Sequence, residues 1–262
     1  MQKYKVAVIG CGGRSQAHIK AYQHIEAAQV VACCDLNRKR ADERAAEFKL
    51  KAYADAGEML ALEKPDLVHV ITAPNVRLEL LTLVSDAGVP ACTVEKPLAT
   101  GVADWRALCE LERKTRTKIA VCHQFRWQSH LVKCREALKT MGPVKFLEFS
   151  AGMNISGQGT HILNYGMSLN GDAPVTRVFG AASGTSEFDT MHPAPDQTAG
   201  YLTFANGVRA LWNNGPAAPR CGDPSTVWQH VRVAAFADRG RITWEEFGAW
   251  EIVGPGGEER GA

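Results

Sequence analysis

Val6-Ala7-Val8-Ile9 runs straight into Gly10-Cys11-Gly12-Gly13-Arg14-Ser15, and a second apolar run, Val30-Val31-Ala32-Cys33-Cys34, ends at Asp35. The first run reads as a buried strand and the glycines as a turn that lets backbone approach a pyrophosphate. The helix that follows aims its N-terminus, with unpaired N–H groups and partial positive charge, at that anion. Asp35, at the tip of the second strand, is placed to accept hydrogen bonds from the two hydroxyls of a ribose. Gly-x-Gly-x-x-Gly alone is weak evidence, and here Ser15, the next smallest side chain, stands at the sixth position. The context carries the reading: a strand before, a helical pattern after, and a carboxylate about twenty residues on. The alternative is an ordinary glycine-rich turn of an α/β protein.

Outward from that stretch, short apolar runs alternate with helical periods. Strands are expected at 5–9, 30–35, 52–53, 67–72, 90–94 and 119–123, with helices at 14–26, 38–48, 57–63, 76–88 and 102–115. This grammar predicts a doubly wound parallel sheet, because each parallel crossover must be long and right-handed. The dinucleotide-binding domain is accordingly assigned to residues 1–124. After Gln124 the pattern changes. Helices are expected over 129–141 and 161–170. Strands are expected at 144–153, 176–182, 199–204, 208–213, 230–236, 241–246 and 250–253, with hairpin turns at Asn206-Gly207 and Arg239-Gly240. Residues 125–262 therefore read as an α+β domain on a mainly antiparallel open sheet, with Gly254-Pro255-Gly256-Gly257 as a frayed tail.

The 262 residues carry 30 Lys plus Arg against 28 Asp plus Glu, a formal charge of +2, which gives no basic surface for nucleic acid. No apolar run approaches a membrane span, and the chain enters a strand almost at once, so neither a membrane anchor nor a signal peptide is expected. Eight cysteines without a Cys-x-x-Cys pair read as reduced thiols of a cytoplasmic protein. No Cys/His group has ligand spacing, so no metal site is expected.

Two further stretches suggest chemistry. Glu95-Lys96-Pro97 follows the fifth strand, where the ligand crevice of an open parallel sheet lies. Pro97 restricts the residue before it and so directs the lysine; by itself the tripeptide would read as a surface turn. His161, Asn164, Tyr165 and Ser168 recur at helical spacing and line one face, suited to a ligand with several hydroxyls or simply to solvent. His161 is the best general base by intrinsic pKa. Lys96, desolvated beside a cationic ring, would exchange protons nearer neutrality.

Gly10–Ser15, Asp35, Thr72-Ala73-Pro74-Asn75, Glu95-Lys96-Pro97 and Cys122-His123-Gln124-Phe125-Arg126-Trp127 together resemble the glucose–fructose oxidoreductase, inositol dehydrogenase and rhizopine-catabolism (Gfo/Idh/MocA) family. The resemblance is specific over the first half, and the second half is shorter than is usual. It implies an oxidoreductase that passes a hydride between a nicotinamide cofactor and a CH–OH or ketone of a sugar, cyclitol or related polyol. It implies that Leu36, Arg38, Thr72, Ala73, Pro74, Asn75, Glu95 and Lys96 join the glycine loop and Asp35 in holding the cofactor. The Asp35 carboxylate favours NAD, and Arg38 leaves NADP open. Lys96 and His161 are the implied catalytic pair, with Gln124, Arg126, Trp127, Gln158, Asn164 and Tyr165 lining the substrate region.

The family's Asp-x-Gly-x-His segment is represented by Gly157-Gln158-Gly159-Thr160-His161, so a glycine stands where the family's aspartate is expected. That keeps two other readings open: a redox-neutral enzyme that retains NAD for elimination, epimerisation or glycoside cleavage, and a non-catalytic nucleotide-binding subunit. The family also implies a dimer or tetramer through the open sheet face, which Trp212, Trp228, Phe236, Trp244 and Trp250 could cover, although for any one of them a place in the core between sheet and helices is the better expectation. The connections 183–197 and 215–227 are the expected determinants of substrate choice.

Overall fold

Tyr4–Ile9 forms the first strand (β1), and Val6, Ala7 and Val8 within it are wholly buried, as a central parallel strand covered on both faces requires. The computed structural model describes residues 3–185, 194–221, 225–246 and 248–261. After β1 come α1 (Gly13–Ala21), β2 (Ala28–Cys34), α2 (Arg38–Phe48), β3 (Lys51–Tyr53), α3 (Ala56–Glu63) and β4 (Leu67–Val70). The same unit continues with α4 (Arg77–Asp86), β5 (Ala91–Val94), α5 (Val102–Lys114) and β6 (Lys118–Val121). Its six strands lie in the order β3-β2-β1-β4-β5-β6, every neighbouring pair parallel. Order reverses between β2-β1 and β4, and at such a point an open α/β sheet leaves a crevice beyond its carboxyl ends.

Local chemistry sets the helix ends. Asn37 accepts the Arg40 N–H at the start of α2 and Asp55 the Glu58 N–H at the start of α3, while Lys49 and Lys64 close the two helices in the left-handed region. α1 begins differently, with Gly12 at its cap and no side chain bonded there. It also stops at Ala21 rather than continuing to residue 26, because Tyr22–His24 tightens into a 3-10 turn.

The chain divides into two compact units, Met1–Cys122 and His123–Ala262. The second contains α6 (Ser129–Leu138), β7 (Val144–Ala151), α7 (Thr160–Leu169), β8 (Val175–Ser183), β9 (Gln197–Phe204), β10 (Arg209–Asn214), β11 (Val231–Ala237), β12 (Gly240–Glu245), β13 (Trp250–Gly254) and β14 (Gly257–Gly261). Its sheet runs β14-β13-β12-β11-β7-β10-β9-β8, antiparallel throughout except for the parallel pair β7 and β10. Leu131, Cys134 and Leu138 of α6 and Ile162, Tyr165 and Leu169 of α7 join the buried cluster that covers one sheet face.

One expectation is corrected here and one open alternative is decided for the core. The glycine-rich C-terminal segment is no frayed tail: it turns between Gly254 and Gly257 and returns as β14, paired with β13 and tied to it by Arg260–Glu251. Of the candidate aromatics for an open sheet face, Trp212 and Trp244 are buried and Trp250 packs against the same core. Register explains the difference. Trp212 lies opposite Gly200, Phe149 pairs with both Trp212 and Val233, and Val233 pairs with Trp244, so that row belongs to the core face. The adjacent row, Phe179–Tyr201–Leu211–Glu148, points the other way, with Phe179 81% exposed.

Candidate functional site

In the first unit the site is built at the carboxyl ends of β1, β2, β4 and β5. Gly10 sits at φ +100°, and a Cβ on it would stand 2.3 Å from the Ile71 carbonyl oxygen, so only glycine lets β1 leave the sheet so close to the end of β4. A Cβ built on Gly12 or Gly13 meets nothing within 4 Å, so the start of α1 is open on that side. Ser15 is fully buried and its hydroxyl returns to the Gly12 carbonyl at 2.7 Å, which closes the loop without filling it. A helix N-terminus free of a side-chain cap, behind small residues, is suited to a pyrophosphate.

Asp35 follows β2, where its carboxylate accepts the Cys11 N–H and the Asn37 N–H, each at 2.9 Å. The two oxygens keep further acceptor capacity for a diol. Beside it Leu36 is 94% exposed, and Arg38 is engaged by Asp42 one turn along α2. At the end of β4, Thr72 has a buried hydroxyl oxygen with no hydrogen-bond partner, Ala73 is extended, and Pro74–Val76 makes a 3-10 turn ahead of α4. These features fit a dinucleotide: an uncapped helix start, a carboxylate at the second strand's tip and an orphaned hydroxyl just past the end of the fourth strand.

Glu95 leaves β5 and turns inward. Its Oε1 receives Arg14 Nε at 3.0 Å and His18 Nε2 at 2.8 Å, and its Oε2 receives the Lys96 N–H at 3.2 Å. The His18 and Arg14 hydrogen bonds outweigh burial and hold its carboxyl down at about 2. Lys96 joins Pro97 through a cis peptide, and its carbonyl accepts from Arg77, as does the Thr72 carbonyl. Spacing in the sequence hides one convergence: His18, Glu95 and Cys122 bring ligand-type atoms within 4.8 Å of one another. Arg14 already neutralises that carboxylate, so the group reads as a charged hydrogen-bond cluster.

In the second unit His161 opens α7, 5% exposed, with the Phe125 ring centred 4.9 Å away and that of His123 5.4 Å away. Gly159 admits this start because a Cβ there would lie 2.8 Å from Ile155 and 3.1 Å from the Asn214 amide. The Gly157 N–H is capped by the Asn154 side chain at 2.8 Å. Gln158 donates to the Trp228 carbonyl, Trp127 is 75% exposed, and Gln124 begins the same 3-10 turn. Arg126 spends its donors on the Asn164 side chain and carbonyl and on Asp172.

The polar helix face expected from spacing is corrected at two places. Tyr165 is fully buried, its hydroxyl donating to the Leu131 carbonyl at 3.2 Å and its ring against Trp244. Ser168 returns its hydroxyl to the Tyr165 carbonyl. Both therefore serve the core, and only His161 and Asn164 of that face retain a part in the candidate site. Residues missed from the sequence are His69 and Tyr22. His69 interrupts the apolar run Leu67-Val68-His69-Val70, and Tyr22 stands four residues after His18, so the signal was present.

Residues 4–123 match the model of the oxidoreductase family with an NAD-binding Rossmann fold. D-apiose dehydrogenase of Paraburkholderia graminis is 29% identical over 231 residues, covering 80% of this chain and 60% of that protein. The chain thus spans about three fifths of that relative's length. An oxidoreductase from Agrobacterium radiobacter, solved with NAD+, L-tartaric acid and magnesium, superposes with a TM-score of 0.83 at 20% identity, over 99% of this chain and 79% of the other. UDP-N-acetylglucosamine 3-dehydrogenase of Acidithiobacillus ferrooxidans superposes at 0.79 with 21% identity, over 100% and 83%. Residues 4–123, a little under half of the chain, are thus similar to the NAD-binding Rossmann unit of the Gfo/Idh/MocA oxidoreductases, and the solved structures show the same fold over nearly the whole chain.

Proposed function

We propose that the protein is an NAD-dependent oxidoreductase acting on a CH–OH group, or the matching ketone, of a sugar-like polyol. The observation that carries this reading is the open, uncapped start of α1 facing the same carboxyl edge from which Asp35 and Lys96 emerge. Gly10, Cys11, Gly12, Gly13, Arg14 and Ser15 would cradle the pyrophosphate, and Asp35 the adenosine ribose. A carboxylate there repels a 2′-phosphate, which favours NAD over NADP. Thr72, Ala73, Pro74, Asn75, Glu95 and Lys96 would border the rest of the cofactor, with Leu36 and Arg38 at the adenine end.

When bound, the nicotinamide supplies the hydride-accepting centre; the chain supplies orientation and proton handling. Lys96 is held in direction by its own N–H on Glu95 and its carbonyl on Arg77, and we assign it the assisting role as His161 takes the proton of the reacting hydroxyl. His161 is the corresponding group of the second unit, buried beside two rings that fix its plane. Gln124, Trp127, Gln158 and Asn164 are proposed substrate contacts, and Arg126 supports Asn164 rather than the substrate. The sugar dehydrogenases among the relatives support a polyhydroxylated substrate. Part of the connections proposed to select it, at residues 186–193 and 222–224, lies outside the described residues.

The test is a spectrophotometric screen with NAD+ over aldoses, cyclitols and nucleotide sugars. The expected result is nicotinamide reduction with at least one class, lost in Lys96→Ala while cofactor affinity survives. A second reading, redox-neutral chemistry with retained NAD, draws support from Gly157, which offers a capped N–H where the family has a carboxylate. Cofactor that copurifies and turns over substrate with no net reduction favours it.

We further propose self-association through the row formed by exposed Phe179 and Leu211 with half-buried Tyr201 between them, and a cytoplasmic location, which the eight free thiols support. Among the described residues no helix is long and apolar enough to cross a membrane.

A further inference from the structure

Behind the crevice, four side chains from four segments form one continuous hydrogen-bonded line. Glu95 Oε1 meets His18 Nε2 at 2.8 Å, His18 Nδ1 meets His69 Nδ1 at 3.1 Å, and His69 Nε2 meets the Tyr22 hydroxyl at 2.7 Å. His69 is 8% exposed and lies in β4, the strand between β1 and β5, while His18 and Tyr22 stand one turn apart at the end of α1. The other groups facing this line are Arg14 on Glu95, Thr93 on His69 Nδ1 at 2.7 Å, Cys122 beside Thr93, and Arg77, whose charge also acts on Glu95.

Donor logic gives this line two states in which His18 and His69 stay bonded to each other. An ionised carboxylate can only accept, so His18 Nε2 carries a hydrogen throughout. While the two Nδ1 atoms stay bonded, one proton lies between them, since two lone pairs or two N–H groups facing each other at that distance repel. With His18 neutral, its Nδ1 accepts from His69 Nδ1–H, His69 Nε2 is bare, and Tyr22 donates to it. With His18 charged, its Nδ1–H donates to His69 Nδ1, His69 carries its hydrogen on Nε2, and that hydrogen is donated to the Tyr22 oxygen. Thr93 Oγ1, the nearer neighbour of His69 Nδ1, shares its hydrogen in the first state; in the second its own hydrogen turns away from that nitrogen, whose single lone pair His18 occupies. Burial keeps His69 neutral well below the usual histidine range, at about 4, so between those states it changes tautomer rather than charge.

We propose that Tyr22, His69 and His18 form a proton path that reverses polarity as one unit and delivers charge from the Tyr22 hydroxyl to His18, beside the carboxylate that holds Lys96. The balance is closed without any redox partner. A proton from water adds to the Tyr22 oxygen, the phenol's own hydrogen passes to His69 Nε2, and the Nδ1 hydrogen of His69 passes to His18 Nδ1. The reverse sequence returns a proton to solvent at Tyr22, which is partly exposed. His18 is by this account a positioning residue: its charge sets the field at Glu95, whose Oε2 receives the Lys96 N–H. Its consequence for turnover rests on the role proposed above for Lys96, but the path itself does not.

The experiment is long-range 1H–15N NMR of the whole chain labelled with 15N-histidine, titrated from about pH 5 to about pH 9. The expected result is that His69 stays neutral and switches from the Nδ1–H to the Nε2–H tautomer with the same midpoint at which His18 gains charge. In His18→Gln the side-chain amide still donates to Glu95 and its oxygen still accepts from His69. That variant should keep His69 in the Nδ1–H tautomer across the whole range. A His69 tautomer that stays constant while His18 titrates, a His18 that does not titrate in this range, or a switch that persists in His18→Gln overturns the proposal. The readout needs no substrate, so its failure is separate from failure of the proposed activity. If both hold, the His18→Gln enzyme loses the corresponding inflection from its kcat profile while binding NAD+ as tightly as before.

Discussion

The Arg77 guanidinium donates from Nη2 to the Thr72 carbonyl at 2.6 Å and to the Lys96 carbonyl at 3.3 Å, so one buried cation ties the end of β4 to the segment after β5. Those two chain ends form one margin of the crevice. Burial lowers the pKa of this arginine to about 10, against the opposing pull of Glu95. Its Nε and Nη1 are buried without a hydrogen-bond partner.

These opposing effects decide what Arg77→Met should do. Hydrogen bonds from a charged donor contribute about 1.5–3 kcal/mol each, and each buried donor left unsatisfied costs about 1–3 kcal/mol. Two of each nearly cancel. The variant should therefore change unfolding free energy by less than about 1 kcal/mol in urea titrations, yet weaken NAD+ about tenfold because the margin is no longer tied. A loss of stability above about 3 kcal/mol, with affinity intact, would show that the arginine only holds the fold.

Glu95→Gln tests the charge at the centre of the cluster. The carboxyl is depressed to about 2 in the folded protein, so its contribution is complete above the unfolded value near 4.5 and fades as pH falls through the interval between them. Arg14 is half exposed, so solvent screening reduces the full linkage value. The variant should lose about 1–3 kcal/mol at neutral pH, with the difference from the parent closing on acidification through that interval. A difference that stays constant there contradicts an ionic role. The parent should already weaken between about 6.5 and about 4, because the unfolded chain protonates His69 while the folded one resists.

Glu246 carries the opposite sign. Burial raises its carboxyl to about 7, and its Oε2 has no partner. Stability from this raised group is complete below the unfolded value near 4.5 and is lost as pH rises through about 7. Glu246→Gln should therefore stabilise the protein by about 1–2 kcal/mol at mildly alkaline pH and change little near pH 5. Equal effects at both ends of that range, read by chemical denaturation, would contradict the assignment.

How far the sequence could be read depended on whether a feature is local. The parallel unit was legible because β1, β2 and β4 are apolar runs bounded by turn residues. β14 was not: Glu258, Glu259 and Arg260 show no apolar alternation, since an edge strand is held here by backbone pairing and by ion pairs to Glu251 and Lys133. Tyr165 was misplaced because helical spacing grouped its hydroxyl with polar neighbours, while its actual partner is a carbonyl on α6, 34 residues away. The same limit hid the line from Glu95 to Tyr22, whose members are 47 to 77 residues apart where they cross between elements. An i,i+4 histidine–tyrosine pair and a lone histidine in an apolar strand were its only local traces.

The account stands on the cradle at Gly10–Ser15, and isothermal titration calorimetry of ligand-stripped protein with NAD+ and NADP+ tests it most directly. The expected result is one site per chain, tighter for NAD+ than for NADP+, and absent in a folded Gly10→Ala variant, where a methyl group would meet the Ile71 carbonyl oxygen at 2.3 Å. No heat with either dinucleotide from the folded parent protein would contradict the account.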